Sequence, residues 1–149
     1  MRIRILCWTV ALTTLFFSAS AAGGESKAHI GVISTAEDTV GSQLVYKIKE
    51  GLRSSKGMTL ASPDESVVQL RVITLDPDDN TGRRTIYSVV WTVPQFTNKS
   101  AKLYWTSSVG ICGANRISSC AESLIAETDK VVSEVQDVAR NILKELNKK

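Results

Sequence analysis

Two spacings of apolar residues, strict alternation and recurrence at three and four, lay out the elements along the chain. Ala28 to Ser34 (AHIGVIS) is a short β-branched run and predicts a first strand. Thr35 to Thr39 holds turn and helix-start residues. From Val40 to Arg53 the apolar positions Val40, Leu44, Val45, Ile48 and Leu52 trace one helix face. Ser54-Ser55-Lys56-Gly57 ends that helix, with Gly57 expected as a left-handed cap. Met58 to Ala61 predicts a short second strand, and Pro63 to Ser66 a turn. Val67 to Leu75 predicts a third strand, with Val68, Leu70 and Val72 opposite Gln69 and Arg71. Asp76 to Gly82 is a loop of turn residues. Thr85 to Val93 predicts a fourth strand, with Tyr87, Val89, Trp91 and Val93 on one face and Ile86, Ser88, Val90 and Thr92 on the other. Ala101 to Val109 predicts a fifth, with Leu103, Trp105, Ser107 and Val109 opposite Tyr104, Thr106 and Ser108.

The chain closes on a helix with a stripe of Leu124, Ile125, Val131, Val132, Val135, Val138, Ala139, Ile142 and Leu146. Ser119-Cys-Ala-Glu122 matches a capping box, which places the helix start at Ser119. From there the helix would run about 40 Å, longer than a strand of about nine residues, so its last turns should overhang the sheet.

The expected fold is α+β, a two-layer sandwich in the order β-α-β-β-β-β-α. It has a mixed sheet, both helices on one face and a long C-terminal helix. Strands one and two should be parallel, in a right-handed crossover. The later strands should form antiparallel meanders. The predicted core is Val68, Leu70, Val72, Tyr87, Val89, Trp91, Leu103, Trp105 and the two helix stripes.

The amino terminus changes the setting of this domain. Arg2 and Arg4 precede an apolar run from Ile5 to Phe17 and a small-x-small site at Ala19-Ser20-Ala21. That is the pattern of a cleaved secretory signal, assigned to residues 1–22, with a single domain in 23–149. About 13 apolar residues fall short of the roughly 20 that span a bilayer, so the mature chain is not expected to span a membrane. Losing the leader leaves 16 bases against 15 acids. Such a near-neutral balance argues against a nucleic-acid binder. Cys7 leaves with the signal. The remaining pair, Cys112 and Cys120, fits one disulfide in an oxidising compartment, periplasmic or outside the cell.

A further indication comes from element order. A signal, a helix ending in Ser-Ser-Lys-Gly-Met-Thr-Leu, then Val-Gln-Leu-Arg-Val-Ile, paired strands and a closing helix resemble the TolB amino-terminal domain. They also resemble the small α/β domains of the curli-secretion and penicillin-binding-protein-activator lipoproteins. The lipoprotein cysteine of the latter groups is missing here. The resemblance implies a docking module of the bacterial cell envelope.

Four places merit attention as sites. If the helices cover the Trp91 face, the opposite face carries Arg71, Ser88, Thr92, Tyr104 and Thr106, a mixed surface suited to a protein partner or to self-association. Gly110, Gly113, Asn115 and Arg116 lead into the last helix, where free backbone N–H groups and a guanidinium could take an anion. The same disulfide-tied segment, 110–120, is the inhibitory loop of an alternative reading as a secreted inhibitor or effector. Asp76, Asp78 and Asn80 resemble the start of a calcium loop, but Thr81 and Tyr87 stand where an EF-hand needs Gly and Glu. His29 stands without a second ligand. No metal or other cofactor is expected.

With one His and no convergent acid–base pair, an enzyme is not expected. The sequence points to an exported, non-enzymatic binding or assembly module acting through protein–protein contacts in the cell envelope or outside the cell. A small-ligand carrier, with Trp91 and Trp105 lining a cavity beneath the long helix, is a further alternative.

Overall fold

The structure, a computed structural model, describes residues 27–78, 81–95 and 101–148. The expected signal, Asn80 and residues 96–100 lie outside them. The elements are β1 (Ala28–Ala36), α1 (Thr39–Ser54), β2 (Met58–Ala61), β3 (Val68–Leu75), β4 (Arg84–Pro94), β5 (Lys102–Gly113), a 3-10 turn (Ala114–Arg116) and α2 (Ile117–Leu146). The class is α+β, as the spacing predicts. Five strands form one mixed sheet in the order β2-β1-β3-β4-β5. Ile30, Leu70, Val72, Val89 and Trp91 share one core with the α1 stripe and with Ala121, Leu124, Val131 and Val132 of α2.

Trp91 is the centre of that core and is fully buried. An indole in a core needs a partner for its N–H. Here Nε1 donates to Oγ1 of Thr128 at 3.0 Å, and that hydroxyl donates to the Leu124 carbonyl at 2.7 Å. The expected core residue Leu103 is instead largely exposed. It pairs with Val93 at the far end of the edge strand.

The meander begins one strand later than expected. β1 and β2 are parallel, but β3 also pairs parallel with β1, on its other side. The connection from Ala61 to Val68 therefore crosses β1 on the sheet face away from the helices. Gly31 makes the crossing possible: a Cβ there would sit 2.8 Å from Ser66 Oγ and 3.0 Å from Pro63 Cα. The strap is pinned by Val67 N–H to the His29 carbonyl at 2.9 Å. It also buries Gln69, expected on an open face.

Local ends differ as well. α1 stops at Ser54 with Ser55 extended at φ −63°, ψ 146°. Gly57 does not cap it; among the described residues the one glycine at positive φ is Gly82, φ 65°. β5 continues to Gly113, four residues past its expected end, and α2 begins at Ile117. Ser119 therefore lies inside the helix, where its carbonyl accepts the Ser123 hydroxyl at 3.0 Å. The bridge between Cys112 and Cys120 closes with a Cα–Cα separation of 6.2 Å. It ties the end of β5 to the first turn of α2.

Candidate interaction surface on the outer sheet face

The sheet face away from the helices is read row by row from the strand register. Across β3, β4 and β5 the rows are Gln69–Thr92–Tyr104, Arg71–Val90–Ser107, Ile73–Ser88–Val109 and Leu75–Ile86–Ile111. The first two rows are mixed. The last two are apolar apart from Ser88. Ile73 is 49% exposed, Leu75 66%, Val109 73% and Ile111 63%. Soluble proteins seldom leave so many branched side chains contiguous in water.

The expected residues Arg71, Ser88, Thr92 and Tyr104 do lie on this face. Thr106 does not. A bulge opposite Trp91 shifts the register, so that Trp91 faces Thr106 while Thr92 faces Tyr104. Trp105 is the extra residue, and both Trp105 and Thr106 fall on the helix side. A bulge reverses the alternation beyond it. Ser107 and Val109, expected inside, therefore point out, and Ser108 points in. The strongest part of the surface, Val109 with Ile111, was hidden from simple alternation for this reason. Ile73 and Leu75 continue the Gln69–Arg71 face and were legible.

Behind the apolar corner stands a rigid floor. Leu75, Ile86 and Ile111 each follow, or in one case precede, a residue anchored on the helix side: Thr74, Thr85 and Cys112. Asp38 caps α1 and is buried. Its carboxylate accepts the Gly41 amide at 2.6 Å, the Thr74 hydroxyl at 2.7 Å and the Thr85 hydroxyl at 3.0 Å. Burial opposes the ionised form, but these three donors outweigh it and hold the pKa below the ordinary aspartate value. Cys112 adds the disulfide. β5 has no strand beyond it among the described residues, so the corner also borders an open edge of the kind natural sheets usually protect.

The other candidate residues are placed differently from expectation. Gly110 and Gly113 lie in β5 rather than in a loop, and Asn115 and Arg116 in the exposed 3-10 turn. Gly110 sits under the Tyr87 ring, whose atoms a Cβ would strike. The segment 110–120 is therefore strand, turn and helix, with no protruding inhibitory loop. Asp78 binds Arg84 through both carboxylate oxygens, at 2.7 and 2.8 Å. The arginine holds the Asp78 pKa down. Asp76 accepts the amides of Asp78 at 2.7 Å and Gly82 at 3.3 Å. Both oxygens of each side chain thus serve the hairpin itself. His29 is exposed. Among the described residues no three His, Cys, Asp or Glu side chains converge, and no helix is long and apolar enough to cross a membrane.

A groove of about 720 Å³ does exist near α2, but not beside Trp105. It is lined by Val67, Val93 and Pro94 on one side and by Val132, Val135 and Ala139 of α2 on the other, without Trp105. Trp105 is occupied elsewhere, donating Nε1 to Glu134 at 2.9 Å.

Comparison with known proteins finds similar solved structures. The chain is similar to a dodecameric PelC variant from Paraburkholderia phytofirmans, with a TM-score of 0.40 and 12% identity over 68% of this chain and 88% of that one. No protein-family model matches the chain. No curated protein matches it.

Proposed function

We propose that the protein is an exported, non-enzymatic binding or assembly module that docks a protein partner through the apolar corner of its outer sheet face. The observation that carries this reading is the pair of adjacent rows Ile73–Ser88–Val109 and Leu75–Ile86–Ile111, held open to solvent on a sheet braced from behind. A rigid, flat apolar area loses little conformational entropy when it is covered, which favours association. Arg71 in the next row and Tyr104 in the row beyond it supply the polar rim and aromatic anchor common at such interfaces.

The disulfide and the leader-like amino terminus support a periplasmic or extracellular setting. A non-catalytic role is supported by the use of the buried acid Asp38 as a helix cap and strand clamp, with its carboxylate committed to Gly41, Thr74 and Thr85.

The test is a variant carrying Ile73→Ser, Val109→Ser and Ile111→Ser. All three side chains are exposed, so the fold should survive, as judged by circular dichroism and melting temperature. Partners recovered with the wild-type chain from envelope extract should be lost. An unchanged set of partners would remove this surface from the account.

A further inference from the structure

The two edges of the sheet are built differently. β2 at one edge spans only Met58–Ala61, and so short a strand offers little to a neighbour. β5 at the other runs from Lys102 to Gly113, and from Leu103 to Asn115 the sequence holds neither a charge nor a proline. Charges and prolines are what usually guard such an edge. Among the described residues no strand lies beyond it.

The phase of the hydrogen bonds shows which backbone groups face outward. The Ala114 amide donates to the Arg83 carbonyl at 2.8 Å. Bonded positions alternate along an antiparallel ladder. In the register that sets Thr85 against Cys112 and Tyr87 against Gly110, Ser108, Gly110 and Cys112 therefore turn their N–H and C=O groups toward β4. Ser107, Val109 and Ile111 turn theirs out of the edge. Donors and acceptors in that arrangement are matched by an extended strand.

The chain itself supplies a strand that fits. The bulge at Trp105 and the 3-10 turn at Ala114 bound the regular part of β5, Ser107 to Gly113, with Gly110 at its middle. An antiparallel pair that uses the whole of two such segments sets Gly110 against the partner's Gly110. Val109 then lies opposite the partner's Ile111. The row Ile73–Ser88–Val109 runs on into the partner's Ile111, Ile86 and Leu75. Cross-strand pairs of branched side chains are favourable, and like charges would be costly; the segment brings none to the seam. On the helix side, Ser108 and Gly110 leave the axis uncrowded.

We propose that two copies of the chain pair antiparallel along β5, with Gly110 on the two-fold axis, and join their sheets into one. The contact is isologous. It leaves only the short β2 edges outside, so it closes at two copies. It engages the strand edge and not the sheet face: Arg71, Ile73, Leu75 and Tyr104 stay open to the docking partner proposed above, and the two proposals fail separately.

The experiment measures the mass of the mature protein by light scattering and sedimentation over a concentration series. The expected result is a dimer that Val109→Pro converts to monomer. The Val109 N–H points away from β4, so the proline removes no bond within the chain, and circular dichroism should show the fold retained. Ile73→Ser combined with Leu75→Ser, on the face but away from the edge, should leave the dimer intact. Amide exchange of the wild-type protein reads the geometry without any variant. Ser107, Val109 and Ile111 should be protected in the dimer and lose protection on dilution, whereas Ser108, Gly110 and Cys112 should be protected in both. A monomer at all concentrations, a dimer indifferent to Val109→Pro, a dimer lost with the Ile73/Leu75 change, or a dimer in which Ser107, Val109 and Ile111 exchange freely would each overturn the proposal.

Discussion

The Thr85 hydroxyl lies 3.0 Å from the Asp38 carboxylate, directly behind the solvent-facing Ile86 in the apolar row. One residue thus turns a helix-capping acid into a brace for an outer surface. The same acid reaches Thr74 behind Leu75. The corner is held flat by polar bonds on the face opposite to the one it presents.

Replacing Asp38 should therefore cost more than a surface cap. Asp38→Ala removes the acceptor for the Gly41 amide and strips two buried hydroxyls of a partner. The expected loss is about 2–4 kcal/mol, read as a drop in the urea midpoint.

The acid limb of the stability profile should carry the same signature. The folded pKa of Asp38 is depressed. Its contribution is then fully present above the unfolded value of about 3.9 and is lost as pH falls through the lower folded value. Wild-type stability should fall below about pH 4, and Asp38→Asn should flatten that fall while lowering the plateau. Equal acid slopes in the two proteins, measured by urea titration at stepped pH, would remove Asp38 as the cause.

The bridge between Cys112 and Cys120, eight residues apart, closes a small ring. Its removal by paired Cys→Ala substitution should cost about 2–3 kcal/mol in the chain-entropy account. Amide exchange at Ile111 should quicken more than at Arg71, because the bridge anchors the end of β5.

Thr128→Val tests the core. The Trp91 indole N–H would be left buried and unpaired, at a cost of about 1–3 kcal/mol. Trp91→Phe paired with Thr128→Val should lose less than the sum of the two single changes, since neither leaves an orphan in the other's presence.

The legibility of this fold in its sequence follows from where local pattern and tertiary need agree. α1, β2, β3 and β4 are regular amphipathic runs and were readable to within a residue or so. Trp91 was readable as core because its whole strand alternates. The failures are places where one residue breaks the period. The extra Trp105 reverses the alternation of β5, which moved Thr106 inward and exposed Val109. Gly110 and Gly113 read as loop punctuation, yet Gly110 is strand beneath the Tyr87 ring. Nothing local marks Gly31 within its strand, yet it admits the strap that carries the chain from β2 across β1 to β3. Ser119 fitted a capping box, yet the helix starts earlier, at Ile117. Of the candidate surface, the β3 half was visible and the β5 half was not.

If the apolar corner is a docking site, a protein covers it in the native setting. A photo-crosslinking amino acid placed at Val109 in the producing cell reads that contact, with the same group at the exposed Tyr46 on α1 as control. The expected result is a discrete adduct from Val109 that is absent from Tyr46 and disappears when Ile73 and Ile111 are changed to serine. No adduct at Val109, or the same adducts at both positions, would contradict it.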